Sequence, residues 1–263
     1  CVTGGDTNAA PDNAAPVCHA LTGDSHVRGP AGPGHPTDGW WSDIVGPGAA
    51  IDTDRWFVVA PNMLGGCQGS TGPASIAPDG YEWASRFPYV TIRDQVTAQA
   101  QLADELGIEV WAGVVGGSMG GMHALEWAAG HPHRVARAAI IASPPVNTAD
   151  QIALNSVQLD AIAIDPRFQR GEYYDAGDGD GPHRGLALAR RMALLNYRSP
   201  TELNQRFQRS WQSSVSPLGH GGRFAVEAYL DFFGHPFPPP LDAYRYFTPL
   251  GGVQPPLVWP HPG

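Results

Sequence analysis

The 263-residue chain contains no lysine, so all 16 of its basic residues are arginines. Aspartate and glutamate together number 25, which gives a formal net charge of -9 at pH 7. Proteins that bind nucleic acid or anionic membranes usually present a positively charged face. The composition therefore argues against both kinds of partner.

Cysteine is scarce as well, with Cys1, Cys18 and Cys67 and no C-x-x-C spacing. An odd number without such pairs argues against a disulfide framework and a zinc site. The acidic stretch at 173–185, YYDAGDGDGPHRG, lacks the spacing and the closing glutamate of a calcium loop, so we interpret it as a turn. We expect no metal and no bound cofactor.

Long apolar runs are also missing. No run approaches the roughly 18 residues of a membrane span, and no basic segment followed by an apolar one is typical of a signal peptide. The sequence therefore predicts a soluble, cytoplasmic protein. Its first residue is Cys1 instead of Met. Cys1 is either the mature terminus of a lipoprotein or, as we expect, an internal residue of a longer reading frame.

The first half of the chain alternates short apolar segments with helical patterns. A capping box formed by Thr91 and Asp94 begins one helix, and Gly107 ends it. This alternation is typical of a parallel sheet covered on both faces, that is, of an α/β domain. We predict strands at 14–20, 55–61, 108–115 and 137–143, and helices at 91–107 and 119–129.

From Asn147 onward the β-branched runs stop and helical patterns follow one another. Thr148 and Gln151 form a second capping box, and Ser199 precedes Pro200 at the start of another helix. We therefore divide the chain into a core at 1–146, a helical insertion at 147–246 and a Pro-rich tail at 247–263. The predicted helices of the insertion lie at 148–164, 185–197, 200–209 and 223–233.

One serine lies between two glycine pairs at a strand-to-helix junction, in VVGGSMGGMHALEW. Gly116, Ser118 and Gly120 satisfy the G-x-S-x-G pattern of a nucleophile elbow, in which a sharp turn exposes the serine. The backbone N–H groups of Met119 and of Leu21 are then placed to bind a developing oxyanion. A Gly-rich turn that merely packs a helix against a sheet would look similar, but the strand before and the helix after favour the nucleophile.

Four longer motifs resemble the homoserine O-acetyltransferase family, which has the α/β-hydrolase fold. They are CHALTGDSH, GWWSDIVGPGAAIDTDRWFVVAPNMLGGCQGSTGP, FPYVTIRDQV and VVGGSMGGMHALEWA. The resemblance implies an acyl-Ser118 intermediate formed from acetyl-CoA and passed to the hydroxyl of homoserine, in methionine biosynthesis. It also implies an oxyanion hole at Leu21 and Met119, and a homodimer formed through the helical insertion.

The segment GLALARRMALLNYRS at 185–199 is similar to the lid helix of that family. The resemblance places the arginine that binds the homoserine carboxylate at Arg190, whose planar guanidinium suits a carboxylate. Tyr197 follows seven residues later on the same helical face and is expected to line the same tunnel.

The catalytic Asp and His of the family have no counterpart that we can identify. Gly234-His235-Pro236 imitates the expected Gly-His-Asp motif but falls within the insertion and lacks the acid. The likeness runs from about residue 8 to about residue 246. We therefore expect a fragment, without the first and last strands of the sheet, or a reading frame that shifts near Phe247.

Three functions remain open from the sequence. The first is a homoserine O-acyltransferase with a ping-pong mechanism, with an acetyl or a succinyl donor. The second is a serine esterase of the same fold, which the long insertion and Arg190 disfavour because a transferase must exclude water. The third is a non-catalytic fragment.

Overall fold

The fold comes from a computed structural model, which describes residues 2–3, 13–66, 69–177, 180–214, 216 and 222–234. A five-stranded sheet lies at its centre, in the order β1-β5-β2-β6-β7. Its strands are β1 (Val2–Thr3), β2 (Ala14–Cys18), β5 (Phe57–Val59), β6 (Val114–Gly117) and β7 (Ala138–Ile141), and a separate pair is formed by β3 (Val45–Gly46) and β4 (Ile51–Asp52).

Strands β5, β2, β6 and β7 are mutually parallel, and β1 pairs antiparallel with β5. The predicted parallel α/β sheet is therefore confirmed. Its register brings Val17 opposite Val115 and Gly117 opposite Ile141, so the carboxyl ends of three strands share one edge. Every residue of β2 and β5 is buried, as expected for central strands of such a sheet.

The helices are α1 (Ile92–Glu105), α2 (Met119–Gly130), α3 (Ala149–Ala163), α4 (His183–Asn196), α5 (Pro200–Phe207) and α6 (Ala225–Gly234). Both predicted capping boxes are present, since Thr91 pairs with Asp94 and Thr148 pairs with Gln151. The helices α3 to α6 follow the last described strand. The domain bounds themselves stay a prediction, because residues 235–263, which include the proposed tail, lie outside the described residues.

The apolar core lies between the sheet and the helices α1 and α2. Trp111 and Trp127 are almost completely buried there and meet edge to face, with ring centroids 6.1 Å apart. Val96 and Ala103 of α1 and Val114 of β6 belong to the same buried cluster. This packing fixes α2 against the sheet and so sets the position of the residue that precedes it, Ser118.

Two strand predictions were wrong in detail. The strand expected at 108–115 is β6, which lies further along at Val114–Gly117, because its pairing with β7 begins at Val114 and its pairing with β2 begins at Val115. Before it, Trp111 makes a single bridge to Val135. The strand expected to be buried at 137–143 is β7, and all four of its residues are exposed. It lies at the end of the strand order, so no described strand covers its outer edge.

Candidate active site

The turn between β6 and α2 holds Ser118 in a strained conformation. Its φ and ψ are 55° and -124°, in a region that residues with a side chain rarely adopt. A Cβ on Gly116 would lie 2.0 Å from the carbonyl oxygen of Gly120. A Cβ on Gly120 would lie 2.0 Å from the carbonyl oxygen of Cys18. The chain can make this turn only because both positions are glycine, and the turn has the geometry that the sequence pattern predicts.

Backbone hydrogen bonds hold the turn from both sides. Ser118 donates its N–H to the carbonyl oxygen of Ile141 in β7 (2.9 Å). The carbonyl oxygen of Ser118 accepts from the backbone N–H groups of Gly121 (2.9 Å) and Met122 (3.1 Å). The side chain of Ser118 makes no capping bond to α2, so the turn does not use its hydroxyl.

Ser143 also binds the turn, and sequence reasoning missed it. Its hydroxyl lies within hydrogen-bond distance of the carbonyl oxygens of Ser118 and of Ile141, and the contact to Ser118 is the shorter. A Cβ on Gly121 would lie 2.1 Å from the Ser143 oxygen, so the two residues fit closely. The sequence could have indicated a role for Ser143, because this residue follows β7 closely. The end of β7 lies at the same edge of the sheet as the end of β6, which precedes Ser118.

Ser118 lies on the wall of a cavity of about 250 Å³ between the turn and the helices α3 and α4. The structure thus brings together four of the predicted site residues, Leu21, Ser118, Met119 and Tyr197. The lining consists of Leu21, Ser118, Met119, Met122, Ala142, Pro144, Asn147, Gln151, Leu154, Asn155, Gln158, Ala193, Asn196 and Tyr197.

Leu21 and Met119 are neighbours as well as lining residues. Their side chains pack in one apolar cluster with the buried Met63 and Met122. Met119 is the first residue of α2, where the unpaired N–H groups of a helix start favour negative charge. The sequence pattern predicts an oxyanion hole from one residue after the serine and one from the loop after β2, and both of these residues line the cavity.

Arg190 is not among the residues that line the cavity. Its guanidinium donates from Nη2 (3.0 Å) and Nε (3.3 Å) to the carbonyl oxygen of Phe233 in α6. It nevertheless lies close to Tyr197. Partial desolvation raises the pKa of the Tyr197 hydroxyl, and the positive charge of Arg190 acts in the opposite direction. The sequence located both residues on one helix, but it could not show where the arginine points.

Two buried histidines lie beneath the site, and both are already engaged in the fold. His19 donates from Nδ1 to the carbonyl oxygen of Ala20 (2.8 Å) and accepts at Nε2 from the N–H of Met63 (3.2 Å). Burial lowers its pKa, so the ring is neutral. These two bonds hold the start of the loop that carries Leu21.

His123 belongs to a buried chain of hydrogen bonds with Gln99 and Trp127. The indole N–H of Trp127 donates to Oε1 of Gln99 (2.8 Å), which leaves the amide NH₂ to donate to Nδ1 of His123 (2.8 Å). His123 therefore carries its proton on Nε2, which has no partner among the described residues. Burial, with the nearby His19, lowers the pKa of His123 to about 3.

A general base for Ser118 is missing from this part of the structure. No histidine or carboxylate lines the cavity within the described residues. His235, the nearest imitation of the family motif, lies outside them. Within the described residues no three metal-ligating side chains lie together; Asp178 and Cys67 lie outside those residues. Cys18 is buried, which raises its pKa to about 12 and leaves the thiol unreactive at neutral pH.

No described helix is both long and apolar enough to cross a membrane.

Comparison with known proteins identifies the fold family. A family model described as the alpha/beta hydrolase fold matches residues 17–259. The homoserine O-acetyltransferase of Clavibacter michiganensis is 70% identical over 252 residues, which cover 96% of this chain and 65% of that protein. The chain thus spans less than two thirds of the length of this curated relative.

Two kinds of enzyme are found among similar solved structures. Esterase E22 superposes with a TM-score of 0.81 at 28% identity, over 96% of this chain and 70% of that one. The homoserine O-acetyltransferase from Bacillus anthracis superposes with a TM-score of 0.82 at 27% identity, over 96% and 69% respectively. The backbone therefore matches a transferase and an esterase equally well.

Proposed function

Because the chain belongs to the alpha/beta hydrolase fold family, we propose that it serves acyl transfer to the hydroxyl of homoserine through an ester of Ser118. One observation carries the proposal: a serine exposed on a strained turn faces a cavity with both candidate oxyanion donors, in a chain 70% identical to a homoserine O-acetyltransferase. The fold alone would support an esterase equally well, so the sequence identity decides between the two.

The proposed reaction has two steps, with acetyl-CoA as the donor and ping-pong kinetics. Ser118 Oγ attacks the thioester carbonyl carbon, the carbon–sulfur bond breaks, and coenzyme A leaves as the thiol with the serine proton. The hydroxyl of homoserine then attacks the acyl-serine, and its proton returns to Ser118. In both steps the N–H groups of Leu21 and Met119 stabilise the tetrahedral oxyanion.

Arg190 and Tyr197 are the proposed ligands of the acceptor. For Arg190 to meet the homoserine carboxylate, its guanidinium must first leave the carbonyl oxygen of Phe233. Tyr197 lines the cavity already. By the same resemblance, we propose that the enzyme acts in methionine biosynthesis in the cytoplasm and forms a homodimer through the helices α3 to α6.

The test follows thiol release from acetyl-CoA by the purified chain, with and without homoserine, while mass spectrometry examines the peptide that contains Ser118. Acyl-Ser118 together with homoserine-dependent thiol release supports the transferase. Succinyl-CoA in a parallel reaction decides which donor is used. The Ser118→Ala variant is the control and should release thiol only at the background rate.

Two other results would reject the proposal. Acyl-Ser118 that turns over equally with and without homoserine identifies an esterase, which the superposition on esterase E22 makes the second candidate. A chain that never acquires the acyl group is a non-catalytic fragment. That result would accord with the lack of a base in the described part of the cavity, since members of a triad act as a unit.

A further inference from the structure

The wall of the cavity opposite Ser118 is rich in side-chain amides. Helices α3 and α4 pack against each other there. The described residues of the lining include several carboxamides and no charged group. Those carboxamides are Asn147, Gln151, Asn155, Gln158 and Asn196.

Three of these amides are engaged within the protein. Gln151 accepts from the backbone N–H of Thr148 in the capping box (3.0 Å), and Gln158 donates to the carbonyl oxygen of Leu154 (3.4 Å). Asn147 also has an interaction partner. Asn155 and Asn196 differ, because their side chains make no hydrogen bond to any other residue within the described ranges. Asn155 is half-buried, and Asn196 is exposed at the end of α4.

A neutral wall of this kind discriminates between the two substrates of the proposed reaction. Homoserine carries a carboxylate and an ammonium group, and desolvation of each charge is unfavourable unless the protein supplies a partner. A carboxamide offers one acceptor and one NH₂ donor, which match the C=O and N–H of another amide. The wall therefore suits the uncharged, amide-bearing arm of an acyl donor better than it suits an amino acid.

We infer that Asn155 and Asn196 are specificity residues for the acyl donor, and that they hydrogen-bond the secondary amides of its pantetheine arm. The inference rests on the proposed function, because it names the donor as a thioester with such an arm. It places the donor arm along α3 and α4 and directs its thioester toward Ser118.

The test measures binding without chemistry, in a Ser118→Ala background that cannot be acylated. Ligand-observed NMR titration gives the Kd of two probes, S-acetylpantetheine and an S-acetyl thioester of equal length with an oligo(ethylene glycol) arm. The second probe accepts hydrogen bonds but has no amide N–H. We expect Asn155→Leu and Asn196→Leu each to weaken S-acetylpantetheine about 3- to 10-fold and to leave the ether probe unchanged.

Asn204→Leu is the matched control, since Asn204 is an exposed asparagine of α5 that does not line the cavity. It should bind both probes like the parent. Thermal unfolding of each variant checks that the fold is kept. Asn155→Ala and Asn196→Ala replace the leucine variants if either leucine chain unfolds, and they should weaken the pantetheine probe because alanine has neither a donor nor an acceptor in its side chain.

Two outcomes overturn the inference: an unchanged Kd for S-acetylpantetheine, or an equal loss for both probes. The result is independent of the test of acyl transfer. A chain that binds the amide arm selectively but never acquires an acyl group keeps the inference and loses the transferase activity. A chain that is acylated but does not bind the amide arm selectively keeps the transferase activity and loses the inference.

Discussion

The two sides of the cavity are built in different ways. On one side, the turn at Ser118 is fixed by main-chain contacts so close that a single added methyl group would collide with a carbonyl oxygen. On the other side, α3 and α4 present half-buried and exposed side chains, among them Asn155 and Asn196. Close contacts leave the first side little room to move, whereas the second can change its contacts by rotating side chains. The reacting group, Ser118, therefore lies on the rigid side, and the side chains that we propose to select the substrate lie on the adjustable side.

The largest expected effect tests the rigidity of the turn by adding one methyl group to it. In Gly120→Ala the new Cβ would meet the carbonyl oxygen of Cys18 at 2.0 Å, so β2 or α2 must shift. We expect a loss of about 3 kcal/mol or more in the free energy of unfolding, measured by urea denaturation.

Gly113→Ala is the matched control, because a Cβ on Gly113 meets nothing within 4 Å. Its free energy of unfolding should stay within about 1 kcal/mol of the parent. Equal losses in the two variants would contradict the rigid description of the turn.

A second experiment examines the buried layer beneath the rigid side by changing the pH. The folded pKa of His123 is lowered to about 3, whereas the unfolded chain has a value near 6.5. The unfolded state therefore binds more protons as the pH falls below about 6.5, and stability is lost in that direction. Between pH 6.5 and pH 4 the expected loss from this residue is roughly 3 kcal/mol.

Chemical denaturation at several pH values measures that slope. The His123→Gln variant removes the titrating group, so its stability should depend less on pH over this range, whatever its absolute stability. Asn204→Gln, at an exposed position of α5 that carries no titrating group, serves as the control and should keep the parent slope. If His123→Gln and the parent have equal slopes, the ring is not held neutral by burial.

The smallest expected effect concerns Ser143, which lies between the two sides of the cavity. Ser143 follows β7 and precedes α3, and its hydroxyl bonds to the carbonyl oxygen of Ser118. Ser143→Ala should cost about 1 kcal/mol of unfolding free energy, as for one hydrogen bond. Ser42→Ala is the control, because Ser42 makes a similar bond to the carbonyl oxygen of Gly39 (3.0 Å) on an exposed loop.

The two serine variants differ in what else they should change. Only Ser143→Ala should alter the rate at which acetyl-CoA acylates Ser118, because only Ser143 touches the turn. Loss of stability without any change in that rate would assign Ser143 to the fold alone.

The rigid side could be predicted from the sequence because it is contiguous. Gly116, Ser118 and Gly120 lie within five residues, and the contacts that require glycine are made within the same strand, turn and helix or with the adjacent β2. The capping boxes of α1 and α3 were predictable for the same reason. Each of these features depends on residues a few positions apart.

The adjustable side could not be predicted, because it depends on how distant elements pack. Resemblance located Arg190, but its bond to Phe233 joins residues 43 positions apart. Asn155 and Asn196 come together only through the pairing of α3 and α4. The burial of β7 was predicted wrongly. An apolar sequence shows that a strand would be stable in an apolar environment, but it does not show whether another element packs over that strand.

The exposure of β7 also has a practical consequence for work with the chain in solution. Ile140 and Ile141 are 39% and 46% exposed on a strand whose outer edge has no partner in the described part of the sheet. A flat apolar edge with unpaired N–H and C=O groups is a template for pairing with another molecule. If this edge pairs in that way, concentrated samples associate through it, and Ile140→Glu should reduce the association, measured by sedimentation, without disturbing the turn at Ser118.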